Sequence, residues 1–345
     1  MTTKVTLKTL ATTLGLSITT VSRALAGYSD VSPKTRERVR LTAEKIGYIP
    51  NQSARRLVTG RSNAVGIVLP FPGNDDIDPY VTDPFVNELL RYIARALQRL
   101  SQLDLIVGYS HGDDDRLNIY KRFVQGHRVD AFFVARTDSH DERIDYLLQQ
   151  GIPFVCHGRT ERDDQHAWVD TDARRSFSDI TRHLLALRHR RIALLNIPAH
   201  YHTARLRTAG YTETMQAAAL EPVAVHCELR MQSGYEASLT LLQSARPPTA
   251  LLCASDIIAV GAMQAVRSLN LTPGREVSVI GTDNLPLAQL LEPELSSLGY
   301  SFMRLGEIMV DMLQEQLSEH KIIPARKLIE YQLLKRGSLG PCAHA

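Results

Sequence analysis

The sequence predicts an all-α helix-turn-helix head followed by an α/β body of two doubly wound parallel-sheet subdomains. Three observations carry that prediction. The first 48 residues hold helix-period apolar stripes separated by glycines. From Ala64 the period changes, and short apolar runs alternate with helical stretches. Charge divides near the same place: residues 1–61 hold 11 Lys and Arg against three acids, whereas the rest of the 345-residue chain holds 29 against 34. A basic module on an acidic body points to a polyanionic partner for the module alone. Apolar content of 44% and charged content of 22% are ordinary for a globular chain able to bury a core in two or three domains.

Thr6 is an N-cap candidate, and Leu7, Leu10, Ala11 and Leu14 share one helix face. Gly15 supplies a turn, with Leu16 able to plug it. Ser17 caps a second helix that turns Val21 and Leu25 inward and ends at Gly27. Ala11 is small where two helices must cross. Ser32-Pro33 opens a third helix with Val39, Ala43 and Ile46 as its stripe and Gly47 as its stop. The outer face of the second helix carries Ile18, Thr19, Ser22 and Arg23. In a major groove, Arg23 can donate two bonds to guanine O6 and N7, and Ile18 can touch a thymine methyl. Thr19 can do that or bond a base edge, while Thr20, Ser22 and the first amides hold phosphates. Pro50-Asn51 signals another short helix, marginal alone, whose Leu57 suits a wedge between base steps in a minor groove.

In the body, apolar runs fall at 65–71, 103–108, 131–135, 153–157, 191–197, 250–254 and 277–281. Helical patterns fall at 84–100, 117–125, 144–150, 174–187, 205–219, 235–245 and 257–269. That alternation implies βαβ units in two parallel sheets, with ligands at the carboxyl ends of the strands and a cleft between two lobes. No run approaches the ~18 apolar residues of a membrane span. The first twenty residues lack a signal core, so export is not expected. Cys156, Cys227, Cys253 and Cys342 have no paired spacing, which speaks against a zinc site or disulfide framework and fits a cytoplasmic location.

Thr6-Leu7, Ala11, Leu14-Gly15-Leu16-Ser17, Thr20 to Leu25, Ser32, Thr35-Arg36, Val39, Tyr48, Pro50-Asn51, Ala54-Arg55 and Leu57 together resemble the lactose-repressor (LacI/GalR) family of bacterial transcription regulators. The resemblance implies base readout by Ile18, Thr19 and Arg23 and intercalation by Leu57, with Thr6, Ser17, Thr20, Ser22, Asn51 and Arg55 completing the DNA contacts. It extends into the body, implying a periplasmic-binding-protein-like core. Gly281-Thr282-Asp283-Asn284, Arg207 with Gly210-Tyr211, Ser255-Asp256 with Gly261-Ala262, and Asp83-Pro84-Phe85 match its elements. Thr282 stands where the family has an aromatic residue, and Ala173 where it has asparagine. The implied division is a head at 1–48, a hinge at 49–61, a core at 62–336 and a tail at 337–345. Within the core, chain crossings near Arg159, Leu287 and Ser318 give one lobe from 62–159 and 288–318 and another from 160–287 and 319–336. The tail has no heptad pattern, so a tetramerising helix is not expected.

Sugars are bound by planar side chains that make paired hydrogen bonds, with an aromatic face against the ring. Arg207 as donor and Asp283 as acceptor suit that task, with Arg136, Ser255 and Asp83 beside them and Phe85 or Trp168 as the face. His157, Asp172 and Tyr300 are further candidates. Arg136-Thr137 with Asp141-Glu142-Arg143, and His157-Gly158-Arg159, resemble members that answer to glucosides and oligosaccharides. One rival is a hydrolase, because Gly108-Tyr109-Ser110-His111-Gly112 fits a nucleophile elbow. It lacks an oxyanion loop, and Asp113-Asp114-Asp115 would repel an oxyanion. A plain solute-binding protein is a second rival, set against by the basic head. The expectation is therefore a homodimeric, non-enzymatic repressor of a carbohydrate-use operon. It binds double-stranded operator DNA, is released by a sugar-type effector, and needs no cofactor, metal or membrane. A corepressor or a non-sugar effector is the alternative.

Overall fold

A computed structural model describes residues 5–25, 27–48, 61–70, 83–101, 103–110 and 113–343. The chain forms two compact units, Met1–Ser62 and Asn63–Ala345. In the first, α1 (Leu7–Leu14), α2 (Ile18–Leu25) and α3 (Pro33–Ile46) pack around Leu10, Ala11, Val21, Ala24, Val31, Val39 and Ala43. The caps are those the sequence announces. The Thr6 hydroxyl accepts from Thr9 N at 3.2 Å and Thr9 returns the bond, Gly15 takes φ 65°, and Ser32 caps α3 ahead of Pro33. Arg38 donates to the Leu14 carbonyl at 2.7 Å, satisfying the end of α1.

The second unit holds two six-stranded sheets. Its elements are β1 (Ala64–Pro70), α4 (Pro84–Leu100), β2 (Asp104–Ser110), α5 (Asp113–Gln125), β3 (Ala131–Val134), α6 (Glu142–Gln150), β4 (Phe154–His157), β5 (Ala167–Thr171), α7 (Ala173–Ala186), β6 (Ile192–Asn196), α8 (His202–Ala217), β7 (Val223–His226), α9 (Met231–Leu242), β8 (Ala250–Cys253), α10 (Asp256–Ser268), β9 (Ser278–Thr282), a 3-10 turn (Pro286–Gln289), β10 (Ser296–Gly299), α11 (Phe302–Glu319), β11 (Arg326–Ile329) and β12 (Gln332–Leu334). The first sheet runs β11-β5-β4-β3-β1-β2, the second β12-β10-β9-β8-β6-β7. All pairings are parallel except β10 with β12. Both orders reverse after their first strand, at β1/β3 and β6/β8, which is where a doubly wound sheet binds ligands. Apolar clusters lie on both faces of the first sheet, one shared with α4 and α11, the other with α5 and α6. The second lobe closes on Ile192–Leu195, Ala250–Cys253 and the inner faces of α7 to α10.

Strand pairing moves the lobe boundaries away from those expected. β5 pairs with β4, so the first crossing lies between β5 and α7, beyond Thr171, and not near Arg159. β10 pairs with β9, which puts the second crossing between Gly299 and Phe302 rather than near Leu287. β11 pairs with β5 and β12 with β10, so the third falls at Glu330-Tyr331, not Ser318. Residues 337–343 are not a separate tail. Val279 N donates to Ser338 O at 2.8 Å, Ser338 Oγ to Val279 O at 2.6 Å, and Cys342 N to Leu187 O at 2.9 Å. Among the described residues no helix is long and apolar enough to cross a membrane.

Candidate functional site

The carboxyl ends of both sheets meet in one cleft. Arg136 and Thr137 follow β3, His157 ends β4, Ile197 follows β6, Asp283 follows β9, and Tyr300 and Tyr331 stand on two of the crossings. The space they leave is about 30 Å3, room for one or two waters, so the cleft is closed on its own side chains. Asp83 caps α4 through Phe85 N at 3.1 Å and takes two bonds from Arg136, Nε at 2.7 Å and Nη2 at 2.9 Å. The Arg136 guanidinium lies over the Phe85 ring, 4.5 Å from its centre. Arg136 reaches this position from a left-handed backbone of φ 55°, an uncommon state for a residue other than glycine.

Across the cleft, Arg207 is buried on α8. Its Nη1 donates to Ala254 O at 2.8 Å, and its Nε is buried with no partner. Asp283 is also buried, at φ 103°. Burial pushes its carboxyl up to about 7, against the pull of Arg207 and Arg136. Burial also pushes His157 down to about 4, so it faces the cleft neutral, its Nε2 3.4 Å from the Tyr300 hydroxyl. Beneath them Asp256 accepts from Ser297 Oγ and Leu285 N, both at 2.6 Å, and burial drives its carboxyl well above the usual range. A guanidinium with an unspent donor, a carboxyl able to titrate and an aromatic face form a set suited to a polyhydroxylated ligand.

Of the expected residues, Phe85, Arg136, Arg207 and Asp283 line the cleft with His157 and Tyr300, and Asp83 stands behind Arg136. Trp168 does not. Its ring is buried in the α5/α6 face of the first sheet, and its indole N–H is spent on Asp163 O at 2.9 Å. Ser255 and Asp172 are helix caps, accepting from Ile257 N and Arg175 N. Thr282 donates to Cys253 O and Ala173 is buried at the start of α7, so neither departure from the family pattern shapes the wall. Sequence reasoning missed Tyr201, Thr203 and Tyr331. Tyr331 becomes visible only once the third crossing is placed at 330–331. The elbow serine, Ser110, is buried and leans on Leu69 O at 3.4 Å, while His111 and Gly112 lie outside the described residues. Among the described residues no three His, Cys, Asp or Glu side chains group as metal ligands.

In the head, Thr19, Ser22 and Arg23 lie on the side of α2 away from buried Val21 and Ala24, and Ile18, at the first position of the helix, is 48% exposed. Thr6 and Ser17 cap α1 and α2, Ser17 Oγ also meeting Thr20 Oγ1 at 2.8 Å. Arg23 is bound to Asp30 at 2.8 Å and covers the Tyr28 ring at 4.5 Å. Glu37 and Glu44 both pair with Arg40 at 2.6 Å. All three acids of the head are thus paired to arginine, leaving its other cations to set the field. Asn51, Arg55 and Leu57 lie outside the described residues.

Residues 6–51 match the model for bacterial regulatory proteins of the lacI family, and residues 181–339 that for a periplasmic binding protein-like domain. The HTH-type transcriptional regulator AglR of Rhizobium meliloti is 32% identical over 98% of this chain and 95% of its own. The chain belongs to the LacI family of bacterial transcription regulators. The HTH-type regulator RafR of Escherichia coli is 36% identical, covering 90% of this chain and 91% of its own. Among solved LacI-family structures, the lac repressor dimer bound to operator and the anti-inducer ONPF superimposes with a TM-score of 0.81 at 26% identity, over 97% of this chain and 98% of that one. The CelR–cellobiose complex does so at 0.72 and 25%, over 96% and 99%. These LacI-family relatives are DNA-binding regulators, not enzymes, which removes the hydrolase reading.

Proposed function

We propose that this chain is a homodimeric repressor whose two heads hold a pseudo-palindromic operator and let go when a sugar-type effector, a glycoside or oligosaccharide, enters the cleft. The unpartnered Nε of buried Arg207, in one cavity with Asp283, carries the reading. A buried donor without an acceptor costs about 1–3 kcal/mol, and a ligand hydroxyl relieves it. Phe85 supplies the apolar face, and Asp83 and Arg136 exchange their mutual bonds for the ligand's. CelR was solved with cellobiose and another LacI-family regulator with ribose, which supports the sugar class.

Ile18, Thr19 and Arg23 read bases, while Thr6, Ser17, Thr20 and Ser22, with the first amides of α1 and α2, hold phosphates. Residues 49–61 form the hinge, with Asn51 and Arg55 on the backbone and Leu57 as wedge. The hinge enters the first lobe at Asn63, whose N–H donates to Asp130 Oδ2 at 2.7 Å, so movement of that lobe displaces the hinge. Replacing the cleft's own contacts with those of an effector shifts the first lobes of a dimer and unseats hinge helices that are marginal alone.

Thermal shift against a sugar panel, followed by operator release with each hit, tests this. Arg207→Ala should abolish the thermal shift and leave operator binding intact. Release by a sugar that still stabilises the Arg207 variant would place the effector elsewhere.

A further inference from the structure

Outside the cleft lies a second and larger space of about 740 Å3, lined by Arg116, Lys121, Asp138 and His140 of the first lobe and His200 and Arg205 of the second. What divides it from the cleft is one antiparallel bridge between the lobes, Asp138 opposite Tyr201. Two bonds hold that bridge, Ser139 N to His200 O at 3.0 Å and His202 N to Thr137 O at 3.3 Å. Thr137 and Tyr201 line the cleft, and their neighbours Asp138 and His200 line the groove. The partition is therefore one strand pair thick.

It is also incompletely satisfied. Asp138 Oδ1 is buried with no hydrogen bond, and its nearest cations stand off, His200 Nε2 at 3.8 Å from Oδ1 and Arg116 Nη2 at 3.5 Å from Oδ2. Opening the bridge exposes this oxygen to a donor and joins the two spaces into one slot. The groove offers planar and charged groups of both signs, as a carbohydrate needs, on walls contributed by both lobes.

We propose that the groove is an outer subsite for the distal unit of an oligosaccharide whose proximal unit occupies the cleft, with the Asp138–Tyr201 bridge parting to pass the chain. The proposal rests on the sugar-effector reading and assigns a length preference to it. Asp138 accepts distal hydroxyls, and Arg116, Lys121 and His200 donate to them.

Titration calorimetry of the full chain tests it with glucose, maltose and maltotriose, and with galactose, melibiose and raffinose. Within a series that binds, affinity should rise about tenfold from mono- to trisaccharide, the worth of one charge-assisted hydrogen bond. Asp138→Asn should remove most of that gain and leave the monosaccharide within about twofold. Lys121→Ala, away from the bridge, should erode it in the same direction, and retained operator binding checks folding of both variants. Equal affinity across sugar lengths overturns the outer subsite while leaving the sugar reading intact. Equal loss for mono- and trisaccharide in both variants also overturns it, because the groove would then act only through the cleft. Silence from every sugar overturns the sugar reading and the subsite with it.

Discussion

Arg23 is held by two partners that are not DNA, the Asp30 carboxylate and the Tyr28 ring. An exposed ion pair is worth about 0–1 kcal/mol and an exposed cation–π contact about 0.5–1 kcal/mol, against about 1–3 kcal/mol of discrimination for a bidentate guanine contact, so the proposed base readout requires DNA to outcompete both partners. Arg23→Ala should reduce preference for operator over random DNA by that larger amount in competition binding, and an equal loss on both would contradict direct readout. Asp30→Asn should raise affinity for both by less than about fivefold, because it removes a repelling charge, and should raise it somewhat more for operator, because it also removes the competitor for Arg23. At Asp283 the same comparison of states gives a pH effect. Its carboxyl titrates near 3.8 when unfolded and at about 7 when buried. Between those values the folded state keeps a proton that the unfolded state has lost, so the stability contribution falls as pH rises from about 4 to 7. Asp283→Asn should therefore raise Tm at pH 8 relative to wild type and gain least at pH 4. Sugar affinity of the wild type should climb through pH 7 as the carboxylate forms, and that of the variant should stay flat.

Helix α8 shows how one element serves packing and site together. A Cβ at Gly210 would collide with the Arg174 carbonyl, so only glycine lets α8 lie against α7. Tyr211 then donates to Ile192 O at 2.7 Å and Arg207, one turn earlier, enters the cleft. Gly210→Ala should cost the body about 1–3 kcal/mol by thermal denaturation, as overpacking does, and weaken effector binding by tilting Arg207. Elements with apolar runs were legible in the sequence: β1, β3, β4, β6, β8 and β9 begin and end within about two residues of the expected runs. β5 and β10 were not, although both are buried, because their polar residues are satisfied only in three dimensions. Asp170 pairs with Arg159 at 2.9 Å, Ser297 bonds Asp256, and Ser296 bonds Arg336 O at 3.1 Å. β7 and β11 are largely exposed edge strands without an inward stripe. The misplaced crossings follow from β5 and β10. In the cleft, Arg207 and Asp283 were readable because each follows a recognisable motif, whereas Tyr201 and Tyr331 depend on which crossing and which loop come together. Trp168 was misread because an aromatic residue at a strand looks the same in sequence whether its ring faces ligand or core.

At the scale of the molecule, the closed cleft and the DNA-reading head are two sites, and a regulator must couple them by a free energy both share. Coupling of about 1–3 kcal/mol changes operator affinity roughly 5- to 150-fold. Linkage makes that factor reciprocal. If a sugar loosens operator binding by some factor, operator must loosen sugar binding by the same factor. In this chain the cleft is already closed on the Asp83–Arg136 pair and bridged at Asp138–Tyr201. If the effector binds in this cleft as proposed, it does not simply shut an open space: it replaces internal contacts with its own, and operator affinity responds only to the difference between those two closed arrangements. Two measurements decide the matter, the operator Kd with saturating sugar and without it, and the sugar Kd with saturating operator and without it. The two ratios should agree and exceed about fivefold. A sugar that fills the cleft, protects it thermally and binds free and operator-bound protein equally well would show that occupancy of the cleft does not govern DNA release.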